Sequence, residues 1–341
     1  MTVDVIAAAA VGDWQAQLRA AITSPAQLAA ALALDPAHFG DSAGAAADFA
    51  LRVPQPFLAR MRRGDPDDPL LRQVMAAGVE LQAAPGFNDD PVGEVAEANP
   101  RPGIVRKYAG RALLLVAGGC AVNCRYCFRR HFPYGENALS RAECDAALTW
   151  LADEDDIEEL ILSGGDPLLA GDRYLAELVD ALHRLPRLKT LRVHTRLPVV
   201  IPDRVTAGLL DALDRDGLRT VLVLHANHGN EIDRAVQGAC ERLRGRGITL
   251  LNQAVLLAGV NDSADALAGL SDALWDAGVL PYYLHLLDPV RGAAHFAVPD
   301  DRAQRLVGEL ATRKPGYLVP RLVREVPGAA SKRELAPAYP A

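Results

Sequence analysis

Short apolar segments with β-strand character recur along this chain at nearly constant intervals. They begin at residues 112, 159, 190, 220, 249 and 282, so the first interval is 47 residues and the next four are 31, 30, 29 and 33. Stretches with helical spacing separate them. Because two parallel strands are joined only by a long crossover, usually a helix, this alternation predicts a parallel sheet covered by helices.

Six such strands fit either an incomplete barrel or an open doubly wound sheet. Both architectures gather the loops that follow the C-terminal ends of the strands at one edge. The motifs of this chain fall in those loops: GGCAVNCRYC after the first strand, GGDP after the second, HTRLP after the third, HANHGNE after the fourth and Asp288 after the sixth. We therefore expect the functional residues at this edge.

The chain before the first strand has a different composition. Residues 1–95 are rich in Ala, Leu and Asp and show helical spacing in WQAQLRAAI, PAQLAAALAL and LLRQVMAAGVEL, with several prolines between them. This pattern predicts a small helical N-terminal domain over 1–95. The α/β body is then expected over 96–315 and a C-terminal segment over 316–341.

Charge and hydropathy disfavour several classes of partner. The 341-residue chain has a formal net charge of −7, so neither nucleic acid nor an anionic membrane surface is an expected partner. No run of about 18 apolar residues predicts a membrane span. The N-terminus carries Asp4 in place of a basic region and lacks the pattern of a signal peptide. These features predict a cytoplasmic protein.

Three of the five cysteines, Cys120, Cys124 and Cys127, lie within eight residues. The odd total and this clustering argue against a disulfide framework and for a metal centre in a reducing compartment. Thiolates bind iron and zinc, and three of them can occupy three corners of a cubane or of a tetrahedron. A zinc site completed by His131 is therefore an alternative to an iron–sulfur cluster.

The Cys-x3-Cys-x2-Cys loop resembles that of radical S-adenosylmethionine (SAM) enzymes, in which three thiolates hold a [4Fe–4S] cluster and the fourth iron stays open for SAM. A longer resemblance runs from about residue 50 to about residue 335. It rests on ALLLVAGGCAVNCRYCFRRHFPY, LSGGDPLL, RLPVVIP, HANHGNE, LLNQAVLLAGVND and PYYLHLLDPVRGAAHF. Together these segments are similar to the lysine 2,3-aminomutase family, most of all to the short bacterial branch that makes β-lysine for modification of elongation factor P.

The resemblance implies a fold, a reaction and a set of partners. The fold is expected to be a partial (β/α)6 barrel of the radical SAM type with a helical N-terminal domain and a C-terminal extension. The reaction is expected to convert L-lysine into β-lysine, with a 5′-deoxyadenosyl radical acting on the aldimine of lysine with pyridoxal 5′-phosphate (PLP). The expected partners are lysine, an electron donor such as flavodoxin or ferredoxin, a ligase for elongation factor P, and a second copy of the chain in a homo-oligomer.

A PLP-dependent enzyme needs a lysine for its cofactor, and this chain has only four. Lys332, in PGAASKREL, stands at the place of the family's PLP lysine and is the expected catalytic residue. The resemblance also implies that Tyr108 and Arg111 hold PLP, and a planar arginine fork suits a phosphate.

The resemblance assigns three further residues to the substrate. Arg129 is expected to pair with the substrate carboxylate, and Asp288 and Glu325 are expected to receive its ε-ammonium group. Two carboxylates that face one ammonium favour lysine, because either one left unpaired in a closed pocket would penalise a shorter or acidic substrate.

For SAM, the resemblance implies contacts from residues at the strand ends, namely Ser163, Gly164, Gly165, Asp166, Arg196, His225 and Gln253. The two glycines would let the backbone approach the SAM amino group, with Asp166 as a nearby acceptor. Three alternatives stay open at this point: an aminomutase for another amino acid such as glutamate, a radical SAM enzyme without PLP, and a zinc-stabilised binding protein. Cys144 and Cys240 fall in predicted helices, where we expect packing residues.

Overall fold

The computed structural model describes residues 13–95, 98–135, 137 and 141–340. The helices are α1 Trp14–Arg19, α2 Pro25–Ala31, α3 Ser42–Asp48, α4 Gln55–Leu58, α5 Pro69–Arg72, α6 Arg141–Asp153, α7 Asp172–His183, α8 Leu197–Val200, α9 Ala207–Leu213, α10 Arg234–Arg244, α11 Ala264–Asp276 and α12 Asp300–Arg313. The strands are β1 Ile104–Val105, β2 Arg111–Ala117, β3 Glu159–Gly164, β4 Thr190–Thr195, β5 Arg219–His225, β6 Thr249–Val255, β7 Leu280–His285, β8 Arg321–Arg324 and β9 Arg333–Glu334.

The sheet runs in chain order from β1 to β9. Strands β2 to β8 pair in parallel, and the short β1 and β9 pair antiparallel at its two edges. A doubly wound sheet reverses its strand order at a switch point, whereas this order never reverses, as in a barrel. The expected partial barrel is therefore confirmed, and the doubly wound alternative is wrong.

Six strand and helix units form the barrel, and β8 adds a seventh parallel strand that the sequence did not predict. Its four residues are too few for a strand pattern to stand out. The helices cover the sheet with one apolar face each. In α10, Asp233 caps the first turn by accepting a hydrogen bond from the Val236 backbone N–H, and Val236, Ala239, Cys240 and Leu243 are buried at helical spacing.

The N-terminal region is less helical than its pattern predicts, and LLRQVMAAGVEL contains only the end of α5 and one 3-10 turn over Gly78–Leu81. Tertiary hydrogen bonds replace the missing helix. The Gln73 carbonyl accepts from the Arg125 N–H, and the Gln73 side chain donates to Glu231 across the molecule. Buried residues of this region, such as Phe57 and Leu71, belong to the same apolar core as the barrel.

The prediction about the extreme N-terminus concerns residues 1–12, which lie outside the described residues. Within the described ranges, no helix is both long enough and apolar enough to cross a membrane.

Candidate active site

One cavity of about 510 Å³ opens at the C-terminal edge of the parallel strands. Apart from His131 of the zinc alternative, the site residues named from the sequence line it: Tyr108, Arg111, Cys120, Cys124, Cys127, Arg129, Ser163, Gly164, Gly165, Asp166, Arg196, His225, Gln253, Asp288, Glu325 and Lys332. Tyr108 and Arg111 lie before and at the start of β2, and the others come from the C-terminal ends of β2 to β8 and from the loop between β8 and β9. Only the folded sheet brings them together. Their individual roles stay predictions.

The cysteine loop follows β2, and its own Arg125 anchors it to the N-terminal region. Arg125 is fully buried and donates to both carboxylate oxygens of Glu80, with Nε to Oε1 at 2.9 Å. The three thiols on this loop are partly buried. Burial, reinforced by Cys124, raises the pKa of the Cys127 thiol to about 11. Thiolates at this place therefore need a bound cation, which an iron–sulfur cluster provides.

The loop does not assemble the alternative zinc site. His131 is outside the cavity lining, and its ring contacts the Arg291 carbonyl and side chain. Two sulfurs on one zinc lie roughly 3.8 Å apart for bonds of about 2.3 Å, and no group of three or more His, Cys, Asp or Glu in the described ranges is close enough to hold a single metal ion. In a cubane each thiolate binds a different iron, so the three sulfurs need not converge on a single ion.

The GGDP loop packs directly on the cysteine loop. A Cβ added at Gly165 would lie 2.0 Å from the Gly119 carbonyl oxygen, and one at Gly164 would lie 2.4 Å from that of Ala117. Gly164 also has a φ of +116°, a backbone conformation that residues with a side chain rarely adopt. The absence of side chains at Gly164 and Gly165 thus allows the GGDP loop to lie against the backbone of Ala117 and Gly119.

Asp166 is saturated by the chain around it. Its Oδ1 accepts from Leu168 N and Thr195 Oγ1, and its Oδ2 accepts from Arg196 N at 2.8 Å and Leu197 N at 2.9 Å. The carboxylate therefore joins the loops after β3 and β4. An amino group of SAM, for which Asp166 was the predicted acceptor, would therefore compete with four donors of the protein for this carboxylate.

Arg196 reaches the cysteine loop from the end of β4. Its Nη1 donates to Cys124 Sγ at 2.7 Å and to Tyr126 Oη at 2.6 Å. Its Nη2 donates to Gln73 Oε1 and to Glu231 Oε2. The side chain predicted for SAM thus also supports a cysteine of the cluster loop.

Three neutral imidazoles line the cavity between the cysteine loop and Lys332. Burial lowers the pKa of His225 and of His285 to about 3, and lowers that of His194. Gln253 Nε2 donates to His225 Nε2 at 2.7 Å. Nε2 of His194 and of His285 are buried and find no hydrogen-bond partner in the described part of the chain. Unpaired buried nitrogens are costly, so these two fit a polar ligand such as PLP.

Lys332 and the residues predicted for PLP form a cluster where β8 and β9 meet the cavity. Lys332 Nζ and Tyr108 Oη both donate to the Glu325 carboxylate. The Arg111 guanidinium lies 4.7 Å from the centre of the Tyr108 ring. Burial would raise the pKa of Glu325, but Lys332 and its other donors outweigh this and lower it to about 2. Glu325 is thus paired with chain residues before any substrate enters.

Arg129 is buried and already engaged. Its Nε and Nη2 donate to the two Glu94 oxygens at 2.6 and 3.1 Å. Its Nη1 points toward Ser163 Oγ at 3.0 Å and the Gly164 carbonyl at 3.3 Å. The Asp288 carboxylate, in contrast, has no hydrogen-bond or ion-pair partner among the described residues. Burial, then repulsion by Glu325, raises the pKa of Asp288 to about 7.

Glu94, Lys107 and His285 are among the cavity residues that sequence reasoning missed. Glu94 and Lys107 precede the first barrel strand, and His285 ends β7. A histidine at a strand end was a usable signal, because reactive groups gather there. Glu94 carried no signal, since one acid in the proline-rich segment before the barrel has no pattern around it.

Comparison with known proteins agrees with this geometry. A family model described as the Radical SAM superfamily matches residues 114–268. An L-lysine 2,3-aminomutase from Escherichia coli (strain K12) is 51% identical, over 95% of this chain and 94% of that protein. One from Haemophilus influenzae is 49% identical over 94% of each chain, and one from Clostridium subterminale is 31% identical over 96% of this chain and 78% of that protein.

Proposed function

Because the chain belongs to the L-lysine 2,3-aminomutase family of radical SAM enzymes, we propose that it converts L-lysine into β-lysine and supplies that product for attachment to elongation factor P. One observation carries the first part. The cysteine loop, Lys332 and the unpaired carboxylate of Asp288 open on the same cavity. The second part rests on the resemblance to the short bacterial branch.

Radical SAM membership implies a [4Fe–4S] cluster and SAM, and lysine 2,3-aminomutases use PLP. When bound, the cluster and SAM supply a carbon radical that removes hydrogen from the substrate, and PLP supplies the π-system that stabilises the unpaired electron. Cys120, Cys124 and Cys127 would hold three irons of the cluster. Two lysines of the described chain, Lys107 and Lys332, line the cavity. Lys332 is proposed to bind PLP covalently because it stands at the place of the family's PLP lysine, whereas Lys107 lies 3.1 Å from the Glu94 carboxylate.

The chain residues fix both ends of the substrate. Arg129 offers a buried positive charge to the carboxylate, and Asp288 offers a carboxylate to the ε-ammonium. A glutamate side chain would bring a second negative charge toward Asp288 and Glu325, which both lie in a poorly solvated part of the cavity. The charges of the site therefore favour lysine.

Segments outside the parallel strands also line the cavity. Val92 and Glu94 come from the segment before β1, and Ser331 and Lys332 come from the loop between β8 and β9. A closed site protects reactive intermediates from side reactions. We also propose a cytoplasmic location, a flavodoxin or ferredoxin as electron donor, and a homo-oligomer.

The decisive experiment is anaerobic incubation of the reconstituted protein with SAM, PLP, a reductant and a panel of amino acids. We expect β-lysine from L-lysine, identified by chromatography and mass. Formation of β-glutamate without β-lysine would contradict the role of Asp288. For the second part, β-lysylated elongation factor P should disappear from cells that lack this gene and return when β-lysine is added to the medium.

A further inference from the structure

Glu94 lies between two cations of the cavity. Its carboxylate accepts two hydrogen bonds from Arg129, and Lys107 Nζ lies 3.1 Å from its Oε1. The side chains of Glu94 and Arg129 are 6% and 7% exposed, so this pair is shielded from bulk water. We infer that Glu94 is a positioning residue that fixes Arg129 for recognition of the substrate carboxylate, an inference that rests on the proposed function.

The donor count of Arg129 supports this role. A guanidinium side chain has five N–H groups, and the contacts with Glu94, Ser163 and the Gly164 carbonyl account for four of them. One N–H is left for a ligand. Two parallel hydrogen bonds fix the plane of the guanidinium, so the remaining N–H has a set direction. Without Glu94, a long and flexible side chain would have to be ordered by the substrate itself.

Glu94 is itself held by a turn. The Asp90 side chain accepts from the backbone N–H of Glu94 at 2.9 Å and from that of Val95 at 3.1 Å. The same segment is tied to the loop after Asp288, because Asn88 N donates to the Pro289 carbonyl at 2.9 Å. Residues 88–94 therefore connect the predicted carboxylate site with the loop that carries the predicted ammonium site.

Charge favours positioning over another role for Glu94. Its pKa lies below the usual range, because Arg129 and Lys107 outweigh the effect of burial. The ionised Glu94 neutralises one of the two cations, which leaves one positive charge for the substrate carboxylate. If Glu94 instead occupied the substrate site and had to leave, its removal would strengthen lysine binding. The two roles thus predict opposite changes in KM.

The experiment compares Glu94→Gln with the wild-type holoenzyme. Gln keeps the size of the side chain, but it removes the charge and presents an NH2 group to one donor of Arg129. We expect KM for L-lysine to rise at least tenfold while kcat changes less than threefold. L-Lysinamide lacks the carboxylate. The association constant for L-lysine divided by that for L-lysinamide should therefore fall by a similar factor.

Two outcomes would overturn the inference: a KM that is unchanged or lower, or a higher KM with unchanged discrimination against L-lysinamide. Asp172→Asn is the matched control, since Asp172 pairs with the buried Arg204 at 2.7 Å outside the cavity and should change neither quantity. Glu94→Asp keeps the charge with a shorter reach and serves if the Gln variant does not fold; the same tenfold criterion applies.

Arg129→Gln separates this inference from the proposed function. If Arg129→Gln leaves KM for L-lysine and the L-lysinamide ratio unchanged, the assignment of the carboxylate site fails. If Arg129→Gln raises KM for L-lysine and lowers the L-lysine to L-lysinamide ratio but Glu94→Gln changes neither, only the role of Glu94 fails.

Discussion

Glu325 and Lys332 face each other across the loop end of the β8–β9 ladder. The ladder pairs Val323 with Glu334 and Arg324 with Arg333, so the next positions in the same register are Glu325 and Lys332. The Lys332 ammonium donates to the Glu325 carboxylate at this point. A lysine in a loop of small residues thus obtains its place from strand pairing.

Replacement of Lys332 by Ala should abolish covalent attachment of PLP. Borohydride reduction followed by peptide mass analysis should find the cofactor on Lys332 in the wild type and nowhere in the variant. β-Lysine formation should fall by roughly 10²-fold or more, because the cofactor is no longer held in position. Lys314→Ala is the control, since Lys314 pairs with Asp272 away from the cavity. Full activity of the Lys332 variant would refute its assignment.

Glu325→Gln should change how stability responds to acid. A carboxylate whose folded pKa is lowered to about 2 stabilises the fold above its unfolded pKa, and this contribution is lost as pH falls toward 2. The wild type should therefore lose about 1–3 kcal/mol more unfolding free energy between pH 5 and pH 3 than the variant. Denaturant unfolding of the cofactor-free protein measures this difference, and parallel pH profiles would show that the pair contributes nothing.

Each of Cys120→Ala, Cys124→Ala and Cys127→Ala should prevent stable loading of the cluster. Anaerobic reconstitution should then give little iron and sulfide and no cluster signal in electron paramagnetic resonance. Cys240→Ala should load normally, because Cys240 is buried in α10 among apolar side chains. Stoichiometric zinc without iron in the reconstituted wild type would contradict the cluster and revive the zinc alternative.

The raised pKa of Asp288 predicts a pH dependence of lysine recognition. Only ionised Asp288 attracts the ε-ammonium, so kcat/KM for L-lysine should increase as pH rises through about 7. Asp288→Asn should lower kcat/KM by roughly 30-fold or more, since the ε-ammonium group of the bound substrate loses its carboxylate partner. The variant should also lose this pH-dependent step. A step that persists unchanged in Asp288→Asn belongs to another group.

Gly165→Ala should separate the GGDP loop from the cysteine loop. Its Cβ would lie 2.0 Å from a backbone oxygen, which no side-chain movement can relieve. We expect a loss of about 1–3 kcal/mol in unfolding free energy and weaker cluster loading. Gly171→Ala is the matched control, because its Cβ would meet nothing within 4 Å. Equal stabilities of the two variants would show that the close approach is not maintained.

Much of the fold and of the site could be predicted from local patterns. The interval of about 30 residues predicted the parallel strands, and parallel strands place their C-terminal ends at one edge, so the motifs after them had to meet. The cysteine spacing predicted the metal centre without reference to distant residues. Strand β8 escaped prediction because Arg321–Arg324 is too short to show a period.

The pairings within the site were decided only by the tertiary structure. Glu94 and Arg129 are 35 residues apart, and Arg196 and Cys124 are 72 apart. No local periodicity reports such contacts. Likewise, the GGDP loop was expected at the cavity, but only the folded chain shows that the Asp166 carboxylate accepts from Leu168 N, Thr195 Oγ1, Arg196 N and Leu197 N. The sequence by itself determined which motifs meet at this edge, because the motifs follow successive strands that run in the same direction. Which charge neutralises which depends on the distances between side chains from separate segments, and only the folded chain sets those.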